Sequence, residues 1–227
     1  MTQIVAHRGL HVVEVENTVA AFGEARSLGC DGVELDVRRT IDDALVVHHD
    51  AEIVGVGHIA LTSCRDLPVG VATLTEALHA CTGMIVNVEI KNDPNEAGYD
   101  PSGALARQVV DALSELGWLD DVVISSFDLE TCDAVRRSSS IVQVGWLLGF
   151  RSDPRLALNE CVSRSLNAIH PFFFHVDDKL IAAAHDAGVA VNVWTVNEKP
   201  DMQRMIDLDV DMLITDDPAT ALSLVRS

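Results

Sequence analysis

Eight short β-branched runs, each followed by a stretch of helical period, predict an α/β fold of the (β/α)8 TIM-barrel kind. The runs at 4–7, 32–37, 84–91, 122–127, 141–148, 167–171, 189–196 and 211–215 have strand length and are largely apolar, as strands covered on both faces must be. The stretches between them, at 18–28, 73–81, 103–116, 128–137, 154–165, 177–187 and 200–208, repeat apolar residues at helical spacing, and a last helix is expected at 218–226. Eight such units in 227 residues match a closed barrel better than a doubly wound open sheet.

Taken in order, the elements carry their own punctuation. The first strand runs into His7-Arg8-Gly9, and the helix after it ends at Leu28 before Gly29, a residue that takes the left-handed cap. The second strand, Gly32 to Val37, is followed by Val37 to Asp50, which has no helical period and is too short for a crossover. It reads as a short β-hairpin. Strand 2 overshoots the barrel rim, turns at Asp42-Asp43 and returns as Leu45-Val46-Val47, which places His49 opposite Asp36. A slip of one residue puts His49 on the wrong face, so the expectation depends on register. An insertion from Ala51 to Val71 precedes the next helix. Later helices close at Gly117 and Gly188. No internal repeat, low-complexity tract or Pro/Ser-rich linker interrupts the chain, so residues 1–227 are expected to form one domain.

Composition excludes several classes of function. A hydrophobic fraction of 48% is ample for a core, so disorder is excluded despite a formal charge of −19. That charge argues against nucleic acid or an anionic membrane surface as the main partner, since both require a basic footprint. No apolar run approaches the roughly 20 residues of a spanning helix. The amino terminus lacks a basic region and a long apolar segment of secretory type. A cytoplasmic protein with no stable membrane anchor is therefore expected. Cys30, Cys64, Cys81, Cys132 and Cys161 are odd in number and widely spaced, and read as reduced core thiols.

In a parallel barrel the C-terminal ends of the strands carry the active site. Those ends hold His7, Arg8, Glu34, Asp36, Glu89 and Lys91, and the hairpin returns His49 beside them. Glu34 and Asp36 are spaced i,i+2, as are Glu89 and Lys91, so each pair shares a face. A lone Glu-x-Asp is usually a solvated face. Here Asn87, Glu89 and Lys91 line one side of an otherwise apolar strand, which a filled barrel does not tolerate without a reason. Three converging carboxylates need a compensating cation, and all-oxygen ligation suits Mg²⁺ or Ca²⁺. Two histidines beside it supply a general acid and a general base. Arg8 and Lys91, the latter one of three lysines in the chain, are donors suited to phosphate. The sum is metal-assisted phosphoryl-ester chemistry.

The runs His7-Arg8-Gly9, Glu16-Asn17-Thr18, Glu34-Leu35-Asp36-Val37, Thr40 to Asp43 and Val46 to Asp50 resemble the glycerophosphodiester phosphodiesterase family, within the superfamily of phospholipase-C-like barrels. Glu89-Ile90-Lys91, Ser126-Phe127, Trp194 to Asn197 and Ile214 to Pro218 continue the resemblance in the family's order over nearly the whole chain. It implies a phosphoric diester hydrolase that cleaves glycerophosphodiesters to sn-glycerol 3-phosphate and an alcohol in lipid and glycerol-phosphate metabolism. Carried over by motif, Glu34, Asp36 and Glu89 hold a divalent cation, His7 and His49 are the acid/base pair, Arg8 and Lys91 contact phosphate, and Trp194 walls the substrate. Trp194 rests on the resemblance alone. Attack by a neighbouring hydroxyl and attack by water both stay open, as do Mg²⁺ against Ca²⁺, the leaving alcohol, which histidine is the acid, and the oligomeric state.

Three departures from the family pattern stand out. Val15 replaces a proline before Glu-Asn-Thr, leaving Asn17 or Thr18 to cap the first helix. Asp43 replaces a turn glycine, and the stretch from Ala51 to Val71 is short for the family. Phe172-Phe173-Phe174 is expected to be buried loop packing rather than an apolar wall, and His11, His48, His58, His79, His170, His175 and His185 are read as structural or surface residues. Rival readings on the same scaffold are a lysophospholipase D-like activity and a non-catalytic phosphodiester-binding barrel.

Overall fold

The computed structural model describes residues 1–226. In chain order the elements are β1 (Gln3–Ala6), α1 (Val19–Leu28), β2 (Gly32–Arg39), β3 (Leu45–Val47), β4 (Glu52–Ile53), β5 (Gly57–His58), α2 (Leu74–Ala80), β6 (Ile85–Ile90), α3 (Ala104–Leu116), β7 (Val122–Ser126) and α4 (Leu129–Ser138). They continue as β8 (Gln143–Leu147), α5 (Pro154–Ser163), β9 (Ala168–His170), α6 (Asp178–Asp186), β10 (Ala190–Val193), α7 (Lys199–Asp207), β11 (Met212–Thr215) and α8 (Pro218–Val225). Strands β1, β2 and β6 to β11 pair in parallel, and β1 bonds both β2 and β11, which closes an eight-stranded TIM barrel. All eight expected strands and helices form, within a few residues of their expected ends. No helix among the described residues is long and apolar enough to cross a membrane.

Two apolar shells hold the barrel. The larger lies between strands and helices. On α3, Leu105, Val109 and Leu113 follow helical spacing and are buried with Ala106 and Val110. The smaller shell is inside the barrel, where Val5, Val123, Met212 and Ile214 pack with Ile85 and Trp194. Helix starts are capped by side chains. Thr18 accepts from Ala21 N, which decides between the two expected caps of α1, while Thr73 and Glu76 form a reciprocal box on α2. Four cysteines are buried, and burial pushes the Cys81 thiol up to about 12. Cys64 departs from the expected core position and sits half-buried in a short 3-10 turn, Cys64–Asp66.

The hairpin forms, but one residue out of the expected register. Val37 pairs with Val47, Arg38 with Val46 and Arg39 with Leu45. Its loop is three residues long, because Asp43 takes the left-handed conformation (φ 62°) and Thr40 bonds Ala44 in both directions. His48 therefore faces Asp36, donating its N–H to the Asp36 carbonyl at 2.9 Å. His49 still reaches the barrel mouth, because β3 ends at Val47 and the chain bends at His49-Asp50 instead of continuing the ladder. Asp42 accepts from Thr40 and Ser63 hydroxyls, each at 2.6 Å, and from Cys64 N at 2.9 Å, which pins the loop to the insertion.

The phenylalanine run splits in its behaviour. Phe173 packs against the core and Phe172 is half-buried, but Phe174 is 73% exposed, so the expectation of buried packing fails there. Three of the histidines set aside have carboxylate partners: His58 with Glu52 at 2.6 Å, His185 with Asp211 at 3.0 Å and His11 with Asp216 at 3.7 Å. His170 is fully buried within the barrel, and Asn192 Nδ2 donates to its Nε2 at 2.9 Å. Gly145 makes room for it, since a Cβ there would lie 2.2 Å from that same nitrogen.

Burial depresses the His170 pKa to about 3 from an ordinary 6.5. Between those values the unfolded chain binds one more proton than the folded one, so acid destabilises the fold through this residue. His170→Gln removes that contribution. Urea unfolding at pH 7 and pH 5 should show the stability gap between wild type and variant moving by about 2 kcal/mol in the variant's favour at the lower pH. A gap that does not change with pH would show that His170 takes up its proton in the folded state as readily as in the unfolded chain.

Candidate active site at the barrel mouth

Alternation along β2 aims Glu34 and Asp36 into the barrel, and β6 lies beside it with Asp36 in register with Glu89. One oxygen from each of Glu34, Asp36 and Glu89 lies within 4.8 Å of the others, and the three side chains are buried. Burial, then the charges of Asp36 and Glu89, pushes the Glu34 carboxyl well above its ordinary range. Burial also raises Glu89, against the pull of Lys91. For Asp36, burial works toward protonation, but Lys91 and Arg8 outweigh it and hold the carboxyl below its usual value.

Cations and amides keep this cluster in place. Lys91 Nζ lies 2.9 Å from Asp36 Oδ1 and 2.5 Å from Glu89 Oε1. Arg8 Nε is 3.4 Å from Asp36 Oδ2, its Nη1 bonds Glu16 at 2.9 Å, and its backbone N–H donates to Glu34 Oε2 at 3.1 Å. That backbone contact needs Arg8 at φ 57°, and the turn continues through Gly9, where a Cβ would lie 2.8 Å from the Ala21 backbone. Asn17, also at positive φ, donates from Nδ2 to Asp36 Oδ2 at 2.7 Å and accepts from Asp36 N at 3.3 Å. Glu34 Oε1 is buried with no hydrogen-bond partner among the described residues, so an acceptor remains for a cation. Three carboxylates converging on one point, one of them with a spare lone pair, fit a hard divalent ion with oxygen preference.

Two histidines flank the cluster, each with a carboxylate on its Nδ1. His7 Nδ1 donates to Asp216 Oδ1 at 2.6 Å, and His49 Nδ1 to Asp50 Oδ1 at 2.7 Å. Those bonds fix the tautomer that leaves Nε2 for chemistry, and the His7 Nε2 points toward Glu34, 3.9 Å away. Burial and then Lys91 hold the His49 pKa below its ordinary value. Asp216 is itself held by Asn197, whose Nδ2 donates to Oδ2 at 2.6 Å and whose Oδ1 accepts the Asp216 N–H at 2.9 Å.

The mouth opens into two connected hollows. The smaller, about 230 Å³, is lined by His7, Arg8, Glu34, His49, Glu89, Lys91 and Trp194, with Phe127, Leu147 and Phe150 completing an apolar side. Trp194 is fixed by its Nε1 donating to the His170 carbonyl at 2.7 Å, and Phe127 and Phe150 pack on it at 5.5 and 5.4 Å between ring centroids. The larger hollow, about 510 Å³, shares His49, Glu89, Lys91 and Phe127 and extends past Arg38, Asp93 and Asp128. All eight residues singled out in the sequence thus meet at one mouth, with Asp36 beneath it.

Sequence reasoning gave no place in the site to Asp216, Asn17, Asp50 or Asn197. The signal for Asp216 lay in barrel closure. Once β11 pairs with β1, with Thr215 beside Ala6, the residue after Thr215 must adjoin His7. Asn17 was hidden by its other plausible use as a helix cap. His11, set aside as structural or surface, comes to 3.7 Å of Asp216.

The buried charge of Glu34 acts against the fold whenever no cation is bound. Glu34→Gln is expected to raise the melting temperature of chelator-treated protein, by an amount equivalent to about 1 kcal/mol. Differential scanning calorimetry checks this; a fall in melting temperature would mean that the carboxylate is compensated within the protein.

This arrangement has relatives. The model of the Glycerophosphoryl diester phosphodiesterase family matches residues 7–220. A glycerophosphodiester phosphodiesterase from Caldanaerobacter subterraneus subsp. tengcongensis is 33% identical, the match covering 99% of this chain and 98% of that protein. Among solved structures, a glycerophosphodiester phosphodiesterase from Parabacteroides distasonis superposes with a TM-score of 0.84 at 24% identity, covering 99% of this chain and 97% of that one. A phosphodiesterase from Oleispira antarctica, solved in complex with the product sn-glycerol-3-phosphate, superposes with a TM-score of 0.86 at 21% identity over 100% of this chain and 98% of its own. Members of the family that matches are phosphoric diester hydrolases acting on glycerophosphodiesters. With a family match over nearly its full length and a relative of one-third identity end to end, this chain belongs to the glycerophosphoryl diester phosphodiesterase family.

Proposed function

We propose that this chain hydrolyses small glycerophosphodiesters to sn-glycerol 3-phosphate and an alcohol, with a divalent cation held by Glu34, Asp36 and Glu89 and with His7 and His49 as the acid/base pair. The observation that carries the reading is the pair of histidines, each tied through Nδ1 to a carboxylate, on either side of three buried carboxylates in one mouth. The Oleispira antarctica relative and its bound product support the choice of substrate class.

When bound, the cation supplies charge neutralisation of the phosphate and so lowers the cost of attack on phosphorus. The protein's own groups do the rest. Lys91 and Arg8 sit against the carboxylates, and their remaining N–H groups would be donors to phosphate oxygens where negative charge builds up. One imidazole takes the proton of the attacking hydroxyl or water at Nε2. The other gives its Nε2 proton to the leaving alcohol oxygen as the P–O bond breaks. Asp216 and Asp50 hold the two rings in that tautomer and favour the imidazolium that forms on each in turn. Trp194, with Phe127 and Phe150, covers the carbon skeleton of the substrate and keeps water from that side.

Two outcomes test the reading. Chelator-stripped protein should release no glycerol 3-phosphate from glycerophosphocholine, glycerophosphoethanolamine or glycerophosphoglycerol, and adding Mg²⁺ or Ca²⁺ should restore release and raise the melting temperature. At a cation concentration a hundredfold above its dissociation constant the stabilisation should be about 2.7 kcal/mol, and it should be lost in Asp36→Asn. Turnover that survives chelation would overturn the metal assignment. His49→Ala should lower kcat by roughly 10²- to 10⁴-fold while keeping the cation-induced rise in melting temperature. If that variant turned over at the wild-type rate, His49 would have no part in proton transfer.

A further inference from the structure

Arg38 lies on β2 two residues beyond Asp36, so strand alternation carries it to the same side of the barrel, one step above the carboxylates. It is buried, with 8% of its surface exposed, and its guanidinium makes no bond to the carboxylate cluster. Instead Nε and Nη2 both donate to the backbone carbonyl of His49, at 2.9 and 2.5 Å. The other edge of the same fork meets Glu96, with Nη1 at 2.6 Å and Nη2 at 3.2 Å.

This contact falls where the sheet stops supporting the chain. The last ladder bond of the hairpin is His48 N–H to the Asp36 carbonyl, and the chain then bends through His49 and Asp50. Arg38 therefore grips the peptide unit that follows the His49 side chain. Glu96, in turn, sits on a closed loop. Asn92 pairs with Asp100 through both backbone groups at 2.8 and 3.0 Å and donates to Thr131 at 2.8 Å, while the Asp93 carbonyl and carboxylate bond the N–H groups of Glu96 and Asn95. Without Glu96, Arg38 would be a buried cation facing only a carbonyl dipole, and it would leave for water.

We propose that Arg38 and Glu96 are positioning residues for His49: together they form a strut from the 92–100 loop to the His49 carbonyl that holds the imidazole in its productive direction. The proposal rests on the reading of His49 as an acid/base group. The planar fork makes two bonds to the carbonyl and two to the carboxylate, four in all, and the three N–H groups of a lysine cannot reproduce them. Displacement of a catalytic group by about 1 Å costs on the order of 10²-fold in rate.

The test uses Arg38→Lys, Glu96→Gln and the double variant, each assayed for kcat and KM on glycerophosphodiesters with Mg²⁺ or Ca²⁺. The His49 ring resonances, assigned by their loss in His49→Gln, are followed by ¹H–¹⁵N NMR. Arg38→Lys should lower kcat by roughly 10- to 100-fold with KM within about threefold, and should shift or broaden the His49 ring signals. Glu96→Gln should do the same more weakly and add less than about twofold on top of Arg38→Lys, since it acts through the same fork. A rise in KM at constant kcat would overturn the proposal and make Arg38 a substrate contact, and unchanged kcat with unchanged His49 signals would overturn it as well. If Arg38→Lys does not fold, Glu96→Gln carries the same decision. If wild-type protein releases no product, the parent reading fails. The ring signals then decide alone: unchanged signals overturn the strut and shifted signals sustain it.

Discussion

Three carboxylates buried within 4.8 Å of one another are the constraint around which the mouth of this barrel is organised. Like charges at that distance in a poorly hydrated place repel strongly, and the chain answers with groups drawn from different parts of the sequence. Lys91 lies across Asp36 and Glu89, and Arg8 gives its guanidinium to Asp36 and its backbone N–H to Glu34. Asn17 holds Asp36 from the side through both ends of its amide. Arg8 and Asn17 each sit in a left-handed backbone conformation that non-glycine residues seldom adopt, a local cost the cluster keeps in place.

Much of this was legible in the sequence because barrel strands announce themselves. Apolar runs of strand length alternating with helical period fix the order of elements, and the barrel rule then says which strand ends share a face. His7, Glu34, Asp36, Glu89 and Lys91 follow from those two facts. The hairpin was harder. A register is set by the length of its loop, and Asp42-Asp43 looks like a two-residue turn, whereas the left-handed Asp43 makes it a three-residue one. His49 reaches the mouth through a bend that periodicity cannot encode.

What the sequence withheld are contacts between residues far apart in the chain. Asp216 and His7 are 209 residues apart, and Arg38 and Glu96 are 58. Asp216, Arg38 and Glu96 each read, alone, as an ordinary surface charge. Gly145 is another such case. It resembles a flexible spot in a strand, yet it is the space that the His170 ring fills from the next strand, 25 residues on. The misjudged Phe174 shows the reverse: aromatic identity suggested burial, and the loop geometry left it in water.

Barrel closure has a consequence in time as well as in space. The His7–Asp216 pair joins the turn after the first strand to the turn after the last, and β1 gains its second neighbour only when β11 is made. During synthesis the growing chain therefore carries both histidines, the three carboxylates and both cations long before His7 has its orienting partner. Contacts of such sequence separation form late and slowly. Topology alone thus delays completion of the mouth until the final strand is free and the ring of strands can close.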